Sequence, residues 1–393
     1  MKRFALFLAL LLVGITPAVA APKSVAVKKL SIIATVSAEA MVVTGKTIVT
    51  VSNTDGVNSN ILLTGMDISG TQLWQKTIDS GVDEVALASA VDPLGNVWLA
   101  GASSVQVAVE SATAPIQAEN PDGVIAEPVT KLRADMNLLT LWKVSPLGDL
   151  LGTYTLSQSA PALINAISVN ANGVSIVGQL LDKPFVLSAT STGVFGKVIS
   201  IGTSKTALNT VVRHTDGSVS VFGSSAETLA GKKLVGARDG VLIRVSKTGA
   251  IASVIRSSAP KANRAWLSAD STLALTGFVK SGKIIESAFT KFTMAFAPTW
   301  TMRVPSLGTS TVLTSANTTY GVISSNSAVT GVIGWKPTSA SVLLLALSNK
   351  GVIAGAYGSS EISEPISLSY SKELGLVGLA KTATQTVALF KLP

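Results

Sequence analysis

Carboxylates, cations and one histidine are the side chains of this sequence with the makings of a site, because it contains no cysteine. Thiolate chemistry, disulfides and lipid attachment at a cysteine are excluded. His214 is the only histidine, so a Ser-His-Asp triad would need it as base, and histidine metal clusters cannot form. It opens the turn His214-Thr215-Asp216-Gly217, where an exposed polar residue is unremarkable, and no G-x-S-x-G elbow accompanies it. Glu119, Asp122, Glu127 and Asp135 lie with Glu110, Pro115, Pro121 and Pro128 in one stretch, Ser103 to Asn137. Paired carboxylates are what glycoside hydrolysis requires, but their separation in space cannot be read from a sequence. Asn120-Pro121-Asp122-Gly123 is a fragment of a calcium-loop pattern and reads as a plain turn, since calcium needs several oxygen ligands closely spaced.

The second group is cationic. Lys232, Lys233 and Arg238, then Lys280 and Lys283, then Trp335 with Lys336, fall in connections between apolar runs. An exposed aromatic among cations would stack on a sugar or pair with an anion. The plainer alternative is that Trp335 plugs the packing while the lysines stay solvated.

What must position these residues is a repeat. The stretch Asp92-Pro93-Leu94-Gly95-Asn96-Val97-Trp98-Leu99-Ala100-Gly101 is a turn signal followed by a strand, with Asp placed to bond the backbone two residues on and Gly placed where φ is positive. Degenerate copies begin at Asn170, His214, Asp270, Ser315 and Lys372, and an early one at Gly45. Each is followed by a second signal, two strands around a turn at Gly70, Gly148, Gly193, Gly249 and Gly351, or at Ala297-Pro298. Four short strands in a unit of about 45 residues are the signature of a propeller blade. Seven first signals are present and the seventh unit ends one strand short, whereas Leu30–Val36 is an apolar run ahead of the first unit. The expected fold is therefore all-β, a seven-bladed β-propeller of four-stranded blades closed by pairing of the N-terminal strand with the last blade.

The cores Asp92–Gly101, Met66–Trp74 and Trp142–Gly148 resemble those of bacterial β-propeller repeat proteins, with D-x-x-G-N-V-Y-V-x-G followed by A-K-L-D-x-x-G-x-L-W. That resemblance covers nearly all of the chain after its first residues. It implies the fold and leaves function open, since such propellers host binding, scaffolding and catalysis alike. A likeness to quinoprotein propellers is superficial: Trp74, Trp98 and Trp142 sit in repeat cores, where large aromatics fill space between blades.

Lys2 and Arg3, the apolar run Phe4–Ile15 and Pro17-Ala18-Val19-Ala20 match a secretory signal peptide cleaved after Ala20, the run being short for a membrane anchor. Loss of the leader lowers the formal net charge of +9 by two, and the remaining Lys and Arg are dispersed in sequence rather than clustered as in nucleic-acid binders. Hydrophobic residues make up 47% of the chain, which raises an outer-membrane barrel as an alternative. With only 5% aromatic residues and short strands in groups of four, the girdled ten-residue strands of such a barrel are missing.

The division expected is a signal peptide (1–20), a short extension (21–27) and one propeller domain (28–393) with an insertion at 103–137. Strand alternation places that insertion on the face carrying the links between blades, opposite the D-x-x-G turns, together with Lys232, Lys233, Arg238, Lys280, Lys283, Trp335 and Lys336. The reading is an exported, monomeric, non-enzymatic scaffold without cofactor or metal. It would bind an envelope protein, glycan or anionic polymer, but no nucleic acid, with no transmembrane segment left after cleavage of the leader, through Glu119, Asp122, Glu127, Asp135, Lys232, Lys233, Arg238 and Trp335. The alternative is a carbohydrate-active hydrolase or lyase with carboxylates near the propeller axis.

Overall fold

Each apolar run becomes a strand because its hydrophobic residues exceed what one sheet face can hide. Val97–Ser103 and Ser341–Leu347 are buried along their whole length, the mark of strands covered on both faces by neighbouring sheets. Outer strands such as Leu150–Ser157 alternate instead between exposed and half-buried positions. The computed structural model describes residues 24–105 and 132–393. Within them the strands form seven sheets, each running from an innermost strand outward.

The first blade is Ala40–Thr44, Thr47–Asn53, Ile61–Met66 and Gln72–Ile78. The second is Glu84–Val91, Val97–Ser103, Leu138–Val144 and Leu150–Ser157. The third spans residues 162–200, the fourth 206–257 and the fifth 263–305. The last combines Ile362–Ser371, Gly375–Thr382 and Val387–Lys391 with Ser31–Val36, which pairs antiparallel to Val387–Lys391 from Ser31↔Lys391 to Val36↔Val387. Innermost strands touch in succession around the axis, and Ile362–Ser371 meets Ala40–Thr44.

One sheet departs from the expected uniformity. Six blades are four-stranded, but the sheet of residues 310–359 has six strands. Val25–Lys29 lies parallel to both Ile353–Ser359 and the short strand Val332–Ile333, wedged between them. A ring of seven alike four-stranded blades is thus corrected: the N-terminal segment feeds two neighbouring sheets, one with Val25–Lys29 and the next with Ser31–Val36. The alternative of one lipid-facing barrel is also overturned, since the strands divide into separate sheets. Among the described residues, no helix is long and apolar enough to cross a membrane.

The turns follow one chemistry in two forms. Asp92 Oδ1 accepts the amides of Leu94 and Asn96, each at 2.9 Å. Hydroxyls do the same at Ser145 and Thr190, which accept the amides of Asp149 and Val194 at 3.0 Å; this explains why copies lacking Asp still turn. The glycine of the outer turn has a second duty. At Gly148 (φ 88°) and Gly351 (φ 75°), Trp74 and Trp300 of the preceding blade lie against the Cα, so closely that a Cβ would come within 2.6 and 2.7 Å of the rings. A side chain there would disrupt the seam between blades.

Candidate functional site

Around the axis the seven innermost strands enclose an open passage of about 830 Å³. Its walls are sewn by side chains that reach to the next blade. The oxygens of Ser168, Ser268 and Ser369 accept the amides of Arg213, Val312 and Val43 at 3.0, 3.3 and 2.9 Å. Bulges in the third and fourth innermost strands free Asn165 and Asn209 from the ladder, and their amides donate to the carbonyls of Leu208 (2.8 Å) and Trp266 (2.7 Å). Each such bond adds about 1 kcal/mol and fixes the angle between blades. Among the described residues, the acids along the passage are Glu39 and Asp270. Glu39 stands in a link between blades and Asp270 in a turn of the opposite face, so they sit at opposite mouths rather than together across a bond, as the hydrolase alternative requires.

The face with the insertion carries the charge. Asp83 and Glu84 are buried at its foot. The Asp83 carboxylate accepts the amide of Ser59 at 2.7 Å and pairs with Arg133, while Glu84 accepts Trp142 Nε1 at 3.3 Å and Ser80 Oγ at 3.1 Å. Asp135 is exposed and lies 3.4 Å from Arg133. Glu119, Asp122 and Glu127 fall outside the described residues, as does Asn120–Gly123. Glu39, Asp55, Asp79, Asp83, Glu84 and Asp135 thus gather on the first two blades, with Arg133 among them.

Across the same face, the fourth and fifth blades are basic. The connection 226–238 carries Lys232 and Lys233, both exposed. Its root is locked by Asp239 and Arg256, whose side chains are 0% and 6% exposed and lie 3.2 Å apart. Asp239 accepts the amides of Val235 and Gly236 at 3.0 and 2.8 Å, and Arg256 donates to the carbonyls of Lys232 and Glu227. Desolvation would raise Asp239, but those amides and then Arg256 hold it below the ordinary carboxylate range. Glu227 likewise stays low against desolvation through Thr206 and Thr203. Arg238 is half-buried and turned inward, its Nη1 3.3 Å from Lys205 O and Ser224 Oγ. Lys205 lies beside Arg238, which donates to its carbonyl, and Lys261, Lys280 and Lys283 stand at the ends of strands of the fifth blade on the same face; among the described residues no ion pair involves any of them, Lys232 or Lys233.

Arg264, missed in the sequence, is 8% exposed in the seam between the fourth and fifth blades. Its guanidinium lies 4.5 Å from the Trp266 ring centroid. Burial and then Arg303 push its pKa down to about 10, so it stays charged at neutral pH. Of the two readings of Trp335, the structure shows the packing one: the ring is 7% exposed, packed over Gly358 in the sixth sheet beside Val27, Val329 and Val332, and not an exposed aromatic among cations. A cavity of about 490 Å³ adjoins it, lined by Lys28, Lys29 and Lys336 with Glu361, the last paired to Lys29 at 2.6 Å. The exposed position expected for His214 is corrected: the ring is buried, its Nε2 lies 2.7 Å from Ser220 Oγ, and burial followed by Arg244 pushes its pKa down to about 4.

No family model and no curated protein matches the chain. Among solved structures, the WD40 domain of Toxoplasma gondii coronin is similar at a TM-score of 0.52 and 11% identity, over 94% of this chain and 89% of that one. The β-propeller domain of the Trilobed protease from Pyrococcus furiosus aligns at 0.49 and 10% identity, over 92% of this chain and 95% of that one. At 11% identity the likeness to the coronin domain shows the fold alone, a β-propeller.

Proposed function

We propose that this chain is an exported, non-enzymatic scaffold that holds an anionic polymer of the cell envelope against the fourth and fifth blades. The observation that carries the reading is the loop of Lys232 and Lys233. Both ammonium groups are exposed, while a buried ion pair and four bonds to backbone groups fix the root beneath them. Such preorganisation lowers the entropy lost when a partner docks. Lys205, Lys261, Lys280 and Lys283 extend the field, which speeds encounter with an anion and weakens as salt rises. The resemblance to bacterial propeller repeats and the leader sequence support the envelope as the setting. Asp135, with Asp83 and Glu84, then stands on the acidic side of the same face, keeping the polymer off the first two blades.

The test is retention on dextran sulfate, with uncharged dextran as control, of the protein and a K232E/K233E/K280E variant. Retention of the protein that falls with salt, and at least about tenfold weaker binding by the variant, is expected. Equal loss on changing Lys247 and Lys350, in turns of the opposite face, would dismiss the face assignment.

A further inference from the structure

Burying a guanidinium without an anion is expensive, and buried charges are as a rule paired. Arg264 breaks that rule. Its Nε is enclosed and bonded to nothing, and so is Trp266 Nε1 beside it. Among the described residues, no carboxylate pairs with it, and the charge that acts on it is another cation, Arg303. Arg303 is itself held only loosely, 3.6 Å from Glu286 and with 42% of its side chain exposed. Gly240 of the fourth blade faces Arg264 and Trp266 with no side chain, where a Cβ would come within 3.0 Å of Trp266 Nε1 and 3.3 Å of Arg264 Cγ. The stem is thus clamped between Trp266 and a bare backbone, and the terminal nitrogens, which are not enclosed as Nε is, are the part that reaches the surface.

We infer that the mouth of this seam is a built site for one tetrahedral oxyanion of the sulfate or phosphate-ester class, seated on the guanidinium of Arg264 and within the field of Arg303. The inference deepens the reading of the basic face and rests on it, because it names the group on the polymer that is gripped. A planar fork held by stacking suits two oxygens of such a group, which an ammonium cannot match. A doubly charged anion also balances two like charges that otherwise repel. The surface lysines then supply attraction at a distance, and Arg264 supplies the choice of group.

The test is thermal unfolding in sodium chloride, sulfate, phosphate and acetate at equal ionic strength, for the protein, R264M, R264K and K232E/K233E. Sulfate stabilises proteins generally by exclusion from their surface, so what is read is the difference between variants. For the protein, sulfate or phosphate should raise Tm beyond chloride and acetate with a saturating dose dependence, as site binding requires. R264M should be at least as stable as the parent in chloride, since it removes an unpaired buried charge, and should lose the saturating increment. R264K, which keeps the charge without the fork, should need about tenfold more anion and guards against a misfolded R264M. A larger rise with phosphate than sulfate names a phosphate ester, the reverse a sulfate ester. An increment undiminished in R264M, or an equal one from acetate, overturns the inference. K232E/K233E should keep the small-anion increment while losing dextran sulfate, so failure of the site and failure of the polymer reading are separable.

Discussion

The two charged sectors of one face are built oppositely. On the first two blades the buried ion pair keeps one member half in water: Asp83 pairs with Arg133, 43% exposed. On the fourth blade the pair Asp239–Arg256 is enclosed, and beside it in the seam Arg264 is largely buried, its Nε bonded to nothing and no carboxylate paired with it among the described residues. A charge that can return to solvent loses little when its partner goes, whereas an enclosed one cannot escape. The acidic sector is therefore tolerant. The basic sector holds an unpaired buried charge, which the proposed anion would neutralise.

Substitution separates the two. Asp239→Ala strands the Arg256 guanidinium and should cost about 3–5 kcal/mol in urea unfolding. Asp83→Ala loses one amide bond and a half-solvated pair, and should cost about 1–2 kcal/mol; equal costs would erase the contrast. Acid supplies a third measurement from the opposite face. His214 has its folded-state pKa lowered to about 4 from 6.5, so folding favours the neutral ring. Stability from this group is full above about pH 6.5 and is lost as pH falls toward 4, by about 1–2 kcal/mol after allowance for partial solvation, and His214→Gln should flatten that slope in unfolding followed against pH. The carboxylates of Glu227 and Asp239 are held low, so their contributions fade only at lower pH still. Smallest is Lys283→Glu, at an exposed hairpin tip, expected within about 0.5 kcal/mol in thermal unfolding while slowing capture of dextran sulfate.

Local chemistry was the legible part. Asp92 and Gly95, Gly148 and the fully apolar run Val342–Leu347 announce turns and doubly covered strands because each depends on neighbours within a few residues. Trp335 shows the limit: beside Lys336 it allowed both a binding and a packing reading, and only Val27, some 300 residues away in the chain and packed near it, decides for packing. The extra pairing of Val25–Lys29 was equally hidden, since nothing in its composition says that it joins a different sheet from Ser31–Val36. Asp83, Glu84, Arg256 and Arg264 carry no motif, although acids between residues 39 and 135 and cations between 205 and 303 form a sequence asymmetry that marks the two sectors.

By itself, the sequence determined that short strands would turn, pair with their neighbours and leave hydrophobic faces that only further sheets could cover. Burial and alternation are local rules, and they repeat. Which charges would share a face, which would lose water, and which guanidinium would be left without an anion were decided only when the sheets closed around the axis, because desolvation and Coulomb energy depend on distances that no spacing along a chain contains.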